Sequence, residues 1–507
     1  MKFSMIRWLL TLAVAAGFSP AVFAQTAPLP PSAEAPLTPK AVTPFAPAVA
    51  PTVAETMQAA PIAPLYANPD TADLEARIAK LELDLKKKQD KADSKKAFTR
   101  VIDGRIYFDS YNVMNQDGAD AGSPDTHGNL KNWNGVRDAR IGVKGEGFGI
   151  FEYKVDLCFI EGTGSTGNNA GVNFKDVWLS VKNVPLLEYV RIGHYRVEDG
   201  VSNMVGGTNT TFMDFSGRDF AMSRRIGMST RHLWLQDRLR FFAGMFFEND
   251  IVTNKRFSSN QDNQGTITNL RLTYMPYISR GKDGKIDGKR FMMFGGHYSY
   301  VDVTKRNEAT SVRFRSRFDG LNIGNIYDIT MDTSNYQKFG FEFAAQNGPL
   351  ALQAEAFINV YDNASTFAGG PRRDRTIGGG YLEARYFLTG DYRKFSAANA
   401  TWGAVDLKHN LDLRKVNDVN YACWLGGWEL AAKWGYTDLT DFWNEAPAGL
   451  PACGDVHDLT VGLNWYWSSQ ARWMLQYSHV MPNRIRDGVE RDSSATDLLA
   501  LSFRYNF

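Results

Sequence analysis

Past its first two dozen residues, this 507-residue chain has no long hydrophobic run, which excludes a membrane-spanning helix there. Cysteine is scarce. Cys158, Cys423 and Cys453 make an odd count with no C-x-x-C, so no disulfide framework is implied. Cys423 and Cys453 either bridge a loop in an oxidising compartment or stay free thiols. The seven histidines include no i, i+4 pair, which leaves a zinc site without ligands at the usual spacing. No serine sits in a G-x-S-x-G elbow. Neither charge sign dominates, with 57 Lys and Arg against 55 Asp and Glu, so the basic surface that nucleic acid requires is missing. These absences give no grounds for an enzyme or a cofactor.

Aromatic residues make up 13 % of the chain and glycines number 45, a composition of strands, girdles and turns. The clearest pattern is at the carboxy-terminus, from Ala495 to Phe507. Leu499, Leu501, Phe503, Tyr505 and Phe507 share one face at period two. Leu498, Ala500, Ser502, Arg504 and Asn506 share the other. Period two is a strand. A strand of about ten residues with an oily outside and a wet inside suits a transmembrane β-barrel, although a half-buried strand of a soluble sandwich alternates equally well. The aromatic carboxy-terminus also resembles the sorting signal of bacterial outer-membrane barrels.

At the other end, residues 1–24 read as a signal peptide. Lys2 and Arg7 are its positive end, Trp8 to Phe18 its apolar core, and Val22-Phe23-Ala24 its small-residue cleavage site. Residues 25–70 are rich in Ala and Pro and predict an extended periplasmic spacer. In 71–96, Leu74, Ile78, Leu81 and Leu85 alternate steps of four and three. That spacing is either a short coiled-coil seam, stable once several chains meet, or a charged solvated helix. The lysines from Lys86 to Lys96 would sit near a membrane surface or gather anions at a pore mouth.

From about residue 97 to Phe507 no helical period is sustained, and strand, tight turn, strand, long loop recurs. Predicted hairpins turn at Gly145–Phe148, at Gln236-Asp237, at Asn347-Gly348 and within Trp467–Ala471, and a short Pro-containing link joins Asn173–Val181 to Glu188–Tyr195. Connections such as 112–132, 160–172, 196–224 and 437–457 are longer, polar and Gly-rich. Short turns at one end and long loops at the other are the layout of an outer-membrane barrel. The fold class expected is therefore all-β: a transmembrane antiparallel barrel of sixteen or eighteen strands, preceded by a short helix.

Several motifs carry little. Gly162-Thr-Gly-Ser-Thr-Gly167 fits G-x-G-x-x-G but no helix follows to hold a pyrophosphate, so it reads as a loop. Asp283 to Asp287 lacks the ligands of a calcium loop and reads as a turn. Asp117, Asp120 and Asp125 read as a solvated acidic loop. Arginines are more telling. Arg313, Arg315 and Arg317 share one face at period two, with Phe314 and Phe318 opposite. Pointing at lipid, each would cost on the order of 2–4 kcal/mol, so they face water, and arginine stays charged there. Such a row in a narrow low-dielectric passage attracts anions; in an exposed loop it is three scattered charges.

At these residues the chain resembles the phosphate-selective porin O and P family. The likeness runs through Arg137-Asp-Ala-Arg-Ile-Gly-Val-Lys-Gly145, Phe151-Glu-Tyr-Lys-Val-Asp156, Val190-Arg-Ile-Gly193 and Arg313-Phe-Arg-Ser-Arg317. It continues through Gly427-Trp-Glu-Leu430, Thr460-Val-Gly-Leu-Asn-Trp-Tyr466 and the carboxy-terminus. It implies a sixteen-stranded trimeric barrel with loops folded into the lumen. Sixteen strands follow if Ser311–Thr330 is an inserted loop, and 196–224 would then be the constriction. Arg313, Arg315 and Arg317 match the family's arginine ladder, and Arg137 the first of a constriction pair whose second member is Asp138 here. Asn203 stands where phosphate-selective members have lysine, Gly206 and Gly207 at paired serines, Phe215 at an arginine, and Lys175 at an acidic residue. Arg218, Arg224 and Arg225 are candidates to compensate. The expectation is an outer-membrane porin with anion preference and a homotrimeric state. Its partners would be outer-membrane lipid, small anions or other small solutes, and the periplasm or cell wall through residues 25–96. The alternatives are a non-selective or sugar-type pore, and a structural barrel tethering the outer membrane to the cell wall.

Overall fold

The computed structural model describes residues 76–84, 86–87, 98–116, 131–160, 172–248, 265–282, 284–303, 311–316, 326–366, 370–415, 417–418, 425–442, 452–486, 489–491 and 495–507. Upstream of the strands, 76–84 and 86–87 are helical, with Ile78, Leu81 and Leu83 exposed. The signal peptide, the Ala/Pro spacer, Leu74, Leu85, Asp117, Asp120, Asp125, Gly162 to Gly167, Arg317 and Cys423 lie outside the described residues.

Each strand pairs antiparallel with the next. In order they are Val101–Gln116, Trp133–Gly147, Phe151–Cys158, Asn173–Lys182, Tyr189–Arg196, Arg224–Trp234, Leu239–Phe247 and Thr266–Arg280. Then come Ile286–Asp302, Asn335–Asn347, Leu350–Ala364, Arg373–Phe387, Gly427–Asp438, Ala452–Tyr466, Ala471–Arg486 and Thr496–Asn506. The last pairs with the first, from Arg105 opposite Asn506 to Gln116 opposite Thr496, so the sheet has no open edge. The wall thus has sixteen staves. A seventeenth strand in the same sheet, Val489–Arg491, only extends the end of Ala471–Arg486.

Burial is inverted relative to a soluble sandwich. In Thr266–Arg280, Asn269, Arg271 and Thr273 are at most 1 % exposed, while Leu270, Leu272 and Tyr274 between them are 38–49 % exposed. The terminal strand follows suit, with Ser502 and Arg504 buried and Leu501 and Tyr505 exposed. Turning such an arginine outward would place a charge in hydrocarbon, so the wall's period-two alternation fixes its register as well as its faces. Trp467, Trp473 and Phe503 cluster at ring distances of 4.9–6.4 Å beside the 467–470 turn, an aromatic girdle at the short-turn end.

The tight turns fall at one end. Asn347 pairs with Leu350 across Gly348, whose φ of 61° favours glycine. The long connections leave from the other end, and two bodies of chain fill much of the lumen from there. Residues 197–223 are largely buried, and the strands around them hold them by side chains. Ser311–Arg315 pairs with Asp328–Asp332 in a two-stranded sheet apart from the wall, and this keeps the count at sixteen. Phe314 lies against Phe220 of the 197–223 loop at 5.2 Å, and Phe220 stacks on Phe357 of the wall at 5.0 Å.

A third insertion comes from the short-turn end and breaks the expected layout. Within 388–426, Tyr392–Ser396 pairs with Thr401–Asp406. Trp402, 2 % exposed, donates its indole N–H to Gln353 Oε1 at 2.5 Å, and the Arg385 guanidinium lies 3.6 Å from its ring centre. The Thr401 hydroxyl donates to the Val201 carbonyl at 3.1 Å, so this hairpin meets the 197–223 loop inside the barrel.

Candidate pore constriction

The 197–223 loop is held by carboxylates on the facing wall. Glu355 accepts the backbone N–H of Val201 at 2.8 Å and of Ser202 at 3.2 Å. Glu383 accepts the hydroxyls of Thr211 at 2.5 Å and Ser216 at 2.8 Å. Gln476 accepts the Met213 N–H at 3.0 Å, and Lys338 donates to Asp199 at 3.0 Å. These bonds pair buried polar groups of the loop that would otherwise be costly to take out of water, which lets it sit deep in the barrel.

Pressed to that side, the loop leaves a cavity of about 450 Å³ against the first six strands. Nine cations line it: Arg105, Arg137, Arg140, Lys175, Arg196, Arg218, Arg224, Arg315 and Arg504. Among the described residues, two carboxylates, Asp138 and Asp214, share the lining. Arg105 and Arg140 both donate to Asp138, at 2.6 and 2.7 Å. Arg137 reaches Asp109 and Asp214, each at 3.1 Å, and Arg218 pairs with Asp214. Arg224 pairs with Asp176 at 2.7 Å. Among the described residues, two guanidiniums hydrogen-bond only neutral groups. Arg196 donates to the carbonyls of Asn203 and Val205, and Arg504 to Gly207 O and Thr210 Oγ1, both at 2.8 Å, and to Met213 O. Even with Asp109, Asp156 and Asp176 added, the described side chains here carry four positive charges in excess.

The sequence-predicted residues are unevenly placed. Arg137, Arg218, Arg224, Arg315 and Lys175 line this cavity. Arg313 is exposed. Arg225 does not line it; its guanidinium donates to Ser223 Oγ and to the Arg224 carbonyl. Asn203 touches the cavity, but its amide is engaged by Val197 O at 2.9 Å, Met222 O at 3.1 Å and Asp199. Phe215 lies 5.4 Å from the Arg196 guanidinium, and Gly207 lets Arg105 pass, since a Cβ there would be 3.3 Å from its Nη1. Sequence reasoning missed Arg105, Arg140 and Arg196 as lining residues. It put Arg504 on the wet face without seeing that it reaches the loop. Arg105 and Arg504 are the sole arginines of their strands, and Arg140 and Arg196 share theirs with Arg137 and Arg191, so nothing local says that these four meet at one cavity. The signal was parity: Arg105, Tyr107, Asp109 and Tyr111 share the face that Arg504 marks as inward across the closing seam. Cys158 lies at the same cavity as a buried thiol that donates to the Ile160 carbonyl at 2.8 Å.

A closed sixteen-stranded barrel, apolar outside, charged within and narrowed by its own inserted chain, is an outer-membrane porin, a transport channel and not an enzyme. The model of the family described as phosphate-selective porin O and P matches residues 110–507, and the chain belongs to that family. A search of curated proteins finds no match. Similar solved structures include the outer membrane channel DcaP of Acinetobacter baumannii, at 12 % identity and TM-score 0.45, covering 82 % of this chain and 98 % of that one. The high-pH structure of Pseudomonas putida OprB has 10 % identity and TM-score 0.45, covering 82 % and 95 %. A loop L8 deletion mutant of Vibrio cholerae OmpT has 12 % identity and TM-score 0.44, covering 81 % and 100 %.

Proposed function

We propose that this porin is a passive diffusion channel that prefers small anions, with the cavity beside the 197–223 loop as its selectivity region. The observation that carries this is the pair Arg196 and Arg504, two guanidiniums bonded only to neutral groups in a wall where cations outnumber carboxylates. A fixed positive potential inside a low-dielectric wall concentrates anions and repels cations, and more strongly at low salt. Arg315, one member of the arginine row, lines the same cavity and would feed anions to it from the long-loop side.

The channel works as a homotrimer. The strands Phe151–Cys158, Asn173–Lys182 and Tyr189–Arg196 have only 8, 10 and 8 residues, while the first two have 16 and 15. Eight residues rise about 26 Å along the strand. With a tilt of about 40° the rise is roughly 20 Å across the membrane, short of an apolar band about 25 Å tall. A wall this low suits contact with another protomer better than contact with lipid. The exposed Ile78 and Leu81 on the helix upstream suit pairing of the same copies on the periplasmic side.

Reversal potential in a KCl gradient across a planar bilayer tests the selectivity. The expected sign is that of chloride, growing as the mean salt concentration falls. A potassium-directed potential would refute the reading.

A further inference from the structure

A second cavity, of about 260 Å³, adjoins the first, and Arg105, Arg140, Arg196 and Arg224 line both. It extends toward the short-turn end, since Tyr189 opens its strand there while Arg196 and Arg224 pair at the opposite end of the same two strands. Trp178, Tyr189, Tyr195 and Phe242 give its wall aromatic faces, and among the described residues its six cations, Lys154 and Arg191 added to the four shared arginines, outnumber the carboxylates Asp156, Asp176 and Glu198. The Arg191 guanidinium lies 3.8 Å from the Trp178 ring centre and 4.8 Å from that of Tyr189, so cation and aromatic faces alternate.

The side-chain donors lining both cavities are guanidiniums: Arg105 and Arg140 share Asp138 and each keep a nitrogen outside that bond, Arg224 pairs with Asp176, and Arg196 bonds loop carbonyls. Of the hydroxyl and amide donors of the 197–223 loop, Thr211 and Ser216 are engaged by Glu383 and the Asn203 amide by loop carbonyls. A guanidinium fork matches a planar carboxylate in two parallel hydrogen bonds. A tetrahedral oxyanion needs further donors converging from other directions. The volume of the second cavity lies just below the roughly 300–1,000 Å³ typical of small-molecule sites, which suits one ring and not an oligosaccharide.

We propose that the pore's preferred solute is a ring-bearing organic monoanion, an aromatic carboxylate of benzoate size. Its carboxylate is held by the arginines common to both cavities while its ring enters the aromatic-walled one. This rests on the anion-preferring reading above and narrows it.

The test uses the full-length porin in planar bilayers, with bi-ionic reversal potentials for sodium benzoate, sodium cyclohexanecarboxylate and sodium phosphate, each against chloride. The two carboxylates match in charge and nearly in size, and only benzoate has a π-face. Benzoate is expected to be about threefold more permeant than cyclohexanecarboxylate, and more permeant than phosphate. Trp178→Leu should bring the benzoate-to-cyclohexanecarboxylate ratio close to one, with Tyr189→Leu as the second variant should the first fail to fold. Arg225→Ala, off both cavities, should keep the wild-type ratio. Equal permeabilities in the wild type, or phosphate ahead of benzoate, would overturn the proposal while leaving anion preference standing. A potassium-directed potential in KCl alone would remove the reading beneath it.

Discussion

Arg105 and Asp138 meet across adjacent strands, Nη2 to Oδ2 at 2.6 Å, although the register sets Arg105 opposite Arg140 and Asp138 opposite Tyr107. The arginine therefore reaches diagonally, and the same carboxylate takes a hydrogen bond from Arg140 at 2.7 Å. One acid moderates two of the cavity's cations.

Asp138→Asn keeps the shape and an acceptor oxygen while removing the charge. Freed of its counter-ion, the cavity should favour chloride over potassium more strongly, with the permeability ratio rising about twofold to threefold. The barrel should still assemble, since amide and carboxylate are nearly isosteric. A heat-modifiability gel checks folding and a reversal potential checks the ratio; an unchanged ratio in folded protein would show that Asp138 does not face the ion path.

Arg196 and Arg225 separate cavity charge from general charge. Both are arginines near the 197–223 loop, yet Arg196 lines the two cavities and Arg225 lines neither. Arg196→Ala should lower the chloride-over-potassium ratio by about twofold or more at low salt, and Arg225→Ala should leave it within error. Equal effects from both, measured under identical salt, would assign selectivity to the diffuse field of the mouth.

Glu383 holds the loop and lies away from the cation-rich cavity, taking hydrogen bonds from Thr211 and Ser216 on either side of Met213 and Asp214. Glu383→Ala leaves both hydroxyls without that acceptor, a loss of about 1–3 kcal/mol for each buried group left unpaired. The loop should then fluctuate, giving larger single-channel conductance and added open-channel noise with the barrel intact. A quiet channel of wild-type conductance would show that the other anchors, Glu355 and Gln476 among them, suffice.

The sequence was most informative where one strand's own alternation decides the answer. Leu499 to Phe507 could be assigned face by face because lipid on one side and water on the other impose a period that few substitutions escape. The turn expected at Asn347-Gly348 lies one residue on, at Gly348 and Pro349, because the positive φ that such a turn needs falls on the glycine. The sixteen-strand count depended on Ser311–Thr330, whose alternating Arg and Phe suits a wall strand and an inserted hairpin alike. What separates them is that Phe314 finds Phe220 and not lipid, a contact between segments distant in sequence. The hairpin around Trp402 went unforeseen for the same reason: its partner Gln353 lies 49 residues away, and no local pattern says which end of the barrel a connection enters. The cavity arginines are likewise gathered by closure of the sheet.

That closure offers the last prediction. Gly104 and Phe507 exchange backbone hydrogen bonds, N to O at 2.9 Å and O to N at 3.0 Å, where the carboxy-terminus meets the first strand. A Cβ on Gly104 would stand 2.2 Å from the Phe507 ring and 2.9 Å from the Arg140 carbonyl. Gly104→Ala should therefore strain the seam, costing about 1–3 kcal/mol, and lower the temperature at which the folded band disappears on a gel. Phe507→Ala alone loses ring packing, but in the Gly104→Ala background it also removes the clash, so the double variant should be more stable than the sum of the two single losses. The backbone contact with Arg140 persists, which limits the rescue to part of the loss. Strict additivity would show that the ring of the last residue moves aside freely and that closure depends on the main-chain bonds alone.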